Sequence, residues 1–300
     1  MRVLLTGTSG QVGGALLPLL NTSHVVLAPQ RAELDLSRPE TVAEALDGLV
    51  PDLIVNPAAY TAVDKAEDEA ELALRVNAAS PAAMAAWARK RNVPLIHFST
   101  DYVFDGSGET PWREGDRCGP LSSYGRSKWE GERAIQASGA AHLILRTSWV
   151  YAAQGTNFLR TMTRLARERD ELRVVADQFG APTAAASIAE ATSAIIDRRT
   201  NTTDLAEDFA AAEGLVHLAN AGATSWHGFA TAIVDGLKLR GQAVKAATIH
   251  AIATSEFPTK AIRPANSRLD TSRLRQAFGV SMPSWSQAMH RELDRLIRLG

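Results

Sequence analysis

Val3-Leu4-Leu5-Thr6-Gly7-Thr8-Ser9-Gly10-Gln11-Val12-Gly13 decides the fold. A short apolar run of the buried-strand kind passes at once into three glycines spaced GxxGxxG. Ala15-Leu16-Leu17 and Leu19-Leu20 then begin a helix. Strand, glycine turn, helix is the layout in which backbone N–H groups and a helix N-terminus receive a pyrophosphate. Glycine is needed because side chains would block that approach. The stretch predicts a nucleotide-binding α/β unit, with Gly7, Gly10, Gln11, Val12 and Gly13 against the ligand. A tight turn in an α/β domain without ligand is the alternative.

Further strands follow at intervals. His24-Val25-Val26-Leu27 ends where dinucleotide folds usually place an acidic residue on the adenosine ribose, and here Ala28-Pro29-Gln30-Arg31 stands instead. With no carboxylate to repel a 2'-phosphate and Arg31 nearby, NADPH is expected and NADH stays open. Asp35 reads as an adenine contact or as part of the cap of a helix from Pro39 to Leu49, and the two roles are compatible. Asp52-Leu53-Ile54-Val55 is a third strand, and the small residues Ala58 and Ala59 beyond it let a cofactor lie close to the backbone. Lys65 to Arg91 has helical periodicity, restarted at Pro81, with Asn77 as its polar exception. Pro94 to Phe98 is a fourth strand that delivers Ser99-Thr100-Asp101 at the sheet edge where ligands bind.

Tyr124 and Lys128 complete the candidate chemistry. On a helix they sit at i and i+4 on one face, and the ammonium is expected to pull the phenol down from its unperturbed value of about 10. Tyr124 then serves as a general acid while Thr100 hydrogen-bonds the substrate oxygen. A chance pairing on a helix face is the bland reading of the same two residues. In the back half, His142 to Leu145 reads as a fifth strand and Asn157-Phe158 as the start of an amphipathic helix through Arg169. Ser187 to Arg198 reads as a helix, Thr200 to Asp208 as a polar loop, and Gly214 to Asn220 as a strand. The expected organisation is a Rossmann-type doubly wound parallel sheet over residues 1–150 and about 183–220. A smaller, discontinuous α/β substrate domain takes about 151–182 and 221–300.

Composition narrows the classes. No apolar run approaches the roughly 20 residues that span a bilayer, and a net charge of -1 leaves no basic footprint for nucleic acid. The single cysteine, Cys118, makes no internal disulfide, and Met1 runs straight into a strand without a signal-peptide layout, so a cytoplasmic protein is expected. The seven histidines show no paired ligand spacing, and no metal is expected.

Gly7 to Gly13, Ser99 to Asp101 and Tyr124 to Lys128, in this order, resemble the extended short-chain dehydrogenase/reductases. Finer segments resemble the dTDP-4-dehydrorhamnose reductase family over nearly the whole chain. They are Asn56 to Glu67, Ser99 to Gly106, Arg146 to Tyr151 and Arg263 to Asp270. The resemblance implies NAD(P)H-dependent reduction of the C4 ketone of dTDP-6-deoxy-L-lyxo-4-hexulose to dTDP-L-rhamnose. Tyr124 would be the proton donor, Lys128 would hold the nicotinamide ribose, and Thr100 would polarise the carbonyl. It further implies cofactor contacts at Leu36, Ala58, Ala59, Tyr60, Thr61 and Phe98, and sugar contacts at Val63, Asp101 and Trp149. An indole suits the apolar face and methyl group of a deoxy sugar; core packing is the other reading of Trp149. Some members bridge subunits with magnesium through a glutamate early in the first helix. Ala15 stands in that region, which makes magnesium doubtful and leaves a monomer or a homodimer. Two rivals remain: another nucleotide-sugar reductase or epimerase of the superfamily, and a non-catalytic regulatory binding module.

Overall fold

The computed structural model describes residues 1–299. Strand and helix alternate through the first half: β1 (Arg2–Leu5), α1 (Gln11–Leu20), β2 (Val25–Leu27), α2 (Val42–Leu49), β3 (Leu53–Asn56), α3 (Ala70–Leu74), α4 (Ser80–Arg91), β4 (Leu95–Thr100), α5 (Ser123–Ala137) and β5 (His142–Thr147). Then come β6 (Val150–Tyr151), α6 (Phe158–Glu168), β7 (Glu171–Val175), β8 (Phe179–Gly180), β9 (Thr183–Ala184), α7 (Ala185–Asp197), α8 (Thr202–Ala211) and β10 (Leu215–His217). The chain closes with β11 (Thr224–Ser225), α9 (Trp226–Leu239), β12 (Thr248–Ile252), β13 (Asn266–Ser267), α10 (Ser272–Phe278) and α11 (Trp285–Arg298).

Six strands form one parallel sheet in the order β10-β5-β4-β3-β1-β2. The direction of winding reverses at β1, which has β2 on one side and β3 on the other. This is a Rossmann-type doubly wound sheet, and its ligand crevice lies beyond the C-terminal strand ends at that reversal. Side chains alternate between its faces, as the two-residue period of a strand requires. Val3, Leu5, Val55 and Leu145 pack on one side with Leu16 of α1 and Ile188 of α7. Leu4, Ile54 and Ile144 pack on the other with Leu46 of α2, Met84 of α4 and Ile135 of α5. A separate core joins α6, α9 and α11 through Leu159, Phe229 and Leu293, with Tyr151, Leu172 and Val174. Beside it run the pair β7 and β12 and the three-stranded sheet β11-β8-β13.

Two segments depart from the sequence reading or refine it. The stretch expected as a loop at Thr200 to Asp208 lies largely within helix α8. Asn201 caps it by accepting the Asp204 N–H at 2.9 Å, and Leu205 and Phe209, one turn apart, are fully buried against the main sheet. Between Lys65 and Arg91 the helical run is interrupted by a π turn at Arg75–Ala79, which joins α3 to α4 and holds Asn77. Pro81 falls in the first turn of α4, where its missing N–H costs little. No helix among the described residues is long and apolar enough to cross a membrane.

Helix α5 is tied to β5 by a buried ion pair. Arg146 donates to both carboxylate oxygens of Glu132, at 2.9 and 2.6 Å, with both side chains at most 4% exposed. Removing one partner of such a pair strands the other charge, at a cost of about 3–5 kcal/mol. Glu132→Gln should lose about that much in urea unfolding. Glu130→Gln, which breaks the exposed pair with Arg133 on the same helix, should lose less than about 1 kcal/mol.

Candidate active site

Four neighbouring strands, β1, β3, β4 and β5, end at one cavity of about 1070 Å³. Every residue named above as a candidate cofactor, substrate or catalytic contact lines it. At its floor the chain turns from β1 into α1 with Gly7 in the left-handed region at φ 60° and the Gly10 N–H bonded to the Gly7 oxygen at 2.9 Å. Gly10 caps α1 without a side-chain bond, so the first N–H groups of the helix stay open to the cavity. A Cβ at Gly13 would lie 2.2 Å from the Gly7 oxygen, so only glycine brings helix and turn this close. That cradle, and the buried hydroxyls of Ser99 and Thr147 that line the cavity without a protein partner, fit a dinucleotide. On the side of the cavity beyond β2, Arg31 is 80% exposed and 3.5 Å from Asp35. Asp35 caps no helix; it accepts from the Ser37 N–H and hydroxyl in a tight turn, and these bonds lower its carboxyl pKa.

The chemistry-bearing helix is fixed at its start and along its length. Ser122 caps α5 by accepting the Gly125 N–H at 3.1 Å, while Glu67 receives the Ser123 N–H at 2.7 Å and its hydroxyl at 3.0 Å. Asn77 holds both the Tyr60 N–H and carbonyl and donates to Ser127, whose hydroxyl donates to the Tyr124 carbonyl. The amide thus joins the chain beyond β3 to the tyrosine helix. Arg263 forks onto Asp64, at 2.6 and 3.2 Å, and the Ala261 N–H adds a third bond. Arg263 holds the Asp64 carboxyl below its ordinary range.

Tyr124 and Lys128 share a face as expected, but the lysine does not lower the phenol. Burial pushes the Tyr124 hydroxyl up to about 12; a hydrogen bond with Thr100 opposes this and the Asp101 charge adds to it. Lys128 turns instead to the Phe98 carbonyl at 2.6 Å and to His97 Nε2 at 3.1 Å. Burial draws its ammonium down to about 8, while Glu132 works the other way. Thr100 donates to Asp101 at 3.1 Å and accepts from the Tyr102 N–H. The Tyr102 ring stands edge-on to Tyr124 with centroids 5.6 Å apart.

The far wall comes from the second half of the chain. Trp149 has φ 48°, an uncommon conformation for a bulky side chain, and lies flat on Trp226 with ring centroids 3.6 Å apart. Trp226 donates to Gln178 at 3.2 Å. Asn157, the cap of α6, donates to Gln11 at 3.0 Å and brings the loop from Gln154 to Asn157 over the glycine turn. Trp226 and this loop were not among the expected site residues. Nothing in the sequence distinguishes Trp226 from the five other tryptophans, and Asn157 was legible only as a helix start. Among the described residues no group of three or more His, Cys, Asp or Glu is placed to hold a metal ion.

Asp101 is 1% exposed, and burial pushes its carboxyl up to about 7 from 3.8, against the hydrogen bond from Thr100. The folded state therefore binds a proton that the unfolded chain has released between these values, and stability falls as pH rises through that window. Asp101→Asn should flatten this slope, giving a variant more stable than the parent at pH 8 and closer to it at pH 4 in thermal unfolding.

The family described as RmlD substrate binding domain matches residues 1–298. The dTDP-4-dehydrorhamnose reductase of Escherichia coli K12 is 44% identical over 300 residues, covering 99% of this chain and 98% of the relative. That of Burkholderia thailandensis is 45% identical over 293 residues, covering 96% and 97%. Among solved structures, the Bacillus anthracis dTDP-4-dehydrorhamnose reductase in complex with NADP superposes with a TM-score of 0.87 at 32% identity, covering 98% of this chain and 99% of the other. With a family match over nearly every residue and full-length relatives at this identity, the chain belongs to the dTDP-4-dehydrorhamnose reductase family.

Proposed function

We propose that this protein reduces the C4 ketone of dTDP-6-deoxy-L-lyxo-4-hexulose to dTDP-L-rhamnose, with NADPH as the preferred hydride donor and NADH as a possible one. The observation that carries the reading is the single cavity in which the glycine turn, the Thr100, Tyr124 and Lys128 group and the indole wall meet. Gly7 to Gly13 would hold the pyrophosphate on the α1 N-terminus, Arg31 and Asp35 the adenosine end, and Ala58 to Thr61 with Phe98 the ring-bearing half. When bound, the dinucleotide supplies the hydride.

The chain's own groups do the rest. Thr100 presents a hydroxyl to the ketone oxygen, and Tyr124, protonated at neutral pH, passes its proton to that oxygen as negative charge develops. Lys128 keeps the tyrosine helix against β4 through the Phe98 carbonyl and lies where a nicotinamide ribose would be held. Trp149, backed by Trp226, covers the apolar face of the sugar, with Val63 and Asp101 beside it. Fixing the ketone in this geometry exploits proximity before any acid catalysis. Residues 1–150 and about 183–220 then form the nucleotide domain, with α10 joined to its core through Leu274 and Phe278. About 151–182 and the remainder of 221–300 form the sugar domain. The reading takes the protein to be cytoplasmic and a monomer or a homodimer, with a magnesium bridge doubtful because Ala15 stands in the region where some members carry a glutamate.

Purified protein should oxidise NADPH when given the 4-ketohexulose, with net consumption of cofactor; an absence of turnover with either cofactor overturns the reading. Tyr124→Phe should lower kcat by roughly 10² to 10⁴ while KM for the sugar changes little. Arg31→Ala should raise KM for NADPH by roughly tenfold or more and leave KM for NADH nearly unchanged, because a charge-assisted bond to a phosphate is worth about 1.5–3 kcal/mol. Equal effects on both cofactors would remove Arg31 from the discrimination.

A further inference from the structure

Beneath the cavity runs a polar chain that the reaction as derived does not use. Lys128 Nζ stands 3.1 Å from His97 Nε2, His97 Nδ1 stands 3.1 Å from the Asn56 amide nitrogen, and the Asn56 oxygen accepts from the Thr6 hydroxyl at 2.6 Å. Thr6 in turn accepts the Ala58 N–H at 3.2 Å. All four side chains are at most 4% exposed. Asn56 comes from β3, His97 from β4 and Lys128 from α5, and Thr6 is the first residue beyond β1.

The directions of these bonds carry information. The Thr6 hydroxyl donates to the Asn56 oxygen, so the Asn56 NH₂ faces His97 and donates to Nδ1. The His97 proton then sits on Nε2 and points at Nζ, an arrangement that suits a neutral amine. In the opposite arrangement an ammonium donates to Nε2, the ring proton sits on Nδ1, and the Asn56 amide turns to offer its oxygen to the ring and its NH₂ to Thr6, whose own hydroxyl proton then turns to the cavity that Thr6 lines. Neutral imidazole is the only ring form that serves both. Burial and the Lys128 charge hold His97 well below its ordinary value, which keeps the ring neutral.

We propose that His97 is a tautomer switch for Lys128, carrying its proton on Nδ1 when the lysine is an ammonium and on Nε2 when it is an amine. On passing from the first state to the second, an Nζ–H bond is exchanged for an Nε2–H bond, the Nδ1–H bond breaks, and one proton leaves to cavity water. A buried lysine can thereby change charge without stranding an unpaired donor or acceptor, which would otherwise cost about 1–3 kcal/mol. The other groups facing Lys128 are Tyr124 and Glu132 on its own helix, with Arg146 of β5 neutralising Glu132 and Asp101 beyond Tyr124. None of them offers Nζ both a donor and an acceptor. His97 is on this account a positioning residue for the proton transfer, a role that rests on the reductase reading; the tautomer switch itself does not.

Nitrogen-15 NMR of histidine-labelled, cofactor-free protein tests the switch without any activity. The His97 signals, assigned by their loss in His97→Gln, should stay those of neutral imidazole while the protonated nitrogen changes from Nδ1 to Nε2 as pH is raised. The midpoint should coincide with the titration of Lys128, assigned with Lys128→Met in lysine-labelled protein. A pH-invariant tautomer, or an imidazolium at the lysine midpoint, overturns the proposal. In kinetics, His97→Leu should lose roughly tenfold or more in kcat/KM and move a limb of its pH profile, whereas His97→Gln, whose amide offers either sense, should recover most of both. An unmoved profile in a folded His97→Leu protein removes the positioning role. Turnover lost in the parent protein removes the reductase reading and leaves the NMR result standing.

Discussion

The fork from Arg146 onto Glu132 is the constraint on which the rest of the site depends, because it sets where α5 lies on the sheet. An ion pair taken out of water gives back little net stability, since desolvation offsets most of the attraction. What it does give is position. Glu132 lies one turn beyond Lys128, so fastening it to β5 fixes the height at which the lysine meets the Phe98 carbonyl of β4. Glu67 holds the first residue of the same helix, and Asn77 holds its middle through Ser127. At Gly131 a Cβ would lie 2.1 Å from the Asn77 carbonyl, so the helix rests directly on the backbone of the π turn. Three contacts at three heights leave it little freedom to slide or roll.

Two family-specific stretches acquire a physical meaning from this arrangement. Asp64 receives Arg263 from the far end of the chain, and three residues later Glu67 accepts the first N–H of the tyrosine helix. One short turn therefore ties the second half of the molecule to the start of α5. Gln11 with Asn157 makes a second tie at the glycine turn, and Trp149 with Trp226 makes a third at the far wall. The left-handed backbone at Trp149 is held in place by the stack and by Gly180, where a Cβ would come within 2.7 Å of the indole. Strain of this kind persists where surroundings over-determine it.

The sequence made the sheet and the cavity floor legible because their signals are local. Val3 to Gly13 spells strand, turn and helix within eleven residues, and Tyr124 with Lys128 needs only a helix to share a face. The polar run from Thr200 misled because its composition hid two apolar positions one turn apart, Leu205 and Phe209, that a fixed cap at Asn201 turns inward. Trp226 and the loop over the glycine turn were illegible for another reason: they reach the cavity only through packing of α6, α9 and α11, which no spacing in the chain announces. The expected effect of Lys128 on Tyr124 failed on the same ground. Proximity along a helix was visible, but the competing partners of the ammonium, His97 and the Phe98 carbonyl, come from a strand some thirty residues away.

That failed expectation changes how the tyrosine should be understood. A phenol near 12 is fully protonated at neutral pH, the form a proton donor requires. The alkoxide that hydride addition would leave at a sugar carbon is a base comparable with hydroxide, whose conjugate acid water stands near 15.7, so transfer from Tyr124 remains downhill. The reverse reaction needs a phenolate to take the proton from the alcohol, and burial makes that form scarce. The phenolate that burial makes scarce is by the same measure a stronger base, so the balance between the two directions at a given pH is set by the reactants and not by the tyrosine. The enclosure of the tyrosine by Asp101, Tyr102 and the strand ends therefore keeps the proton on its donor at neutral pH, before any substrate is bound.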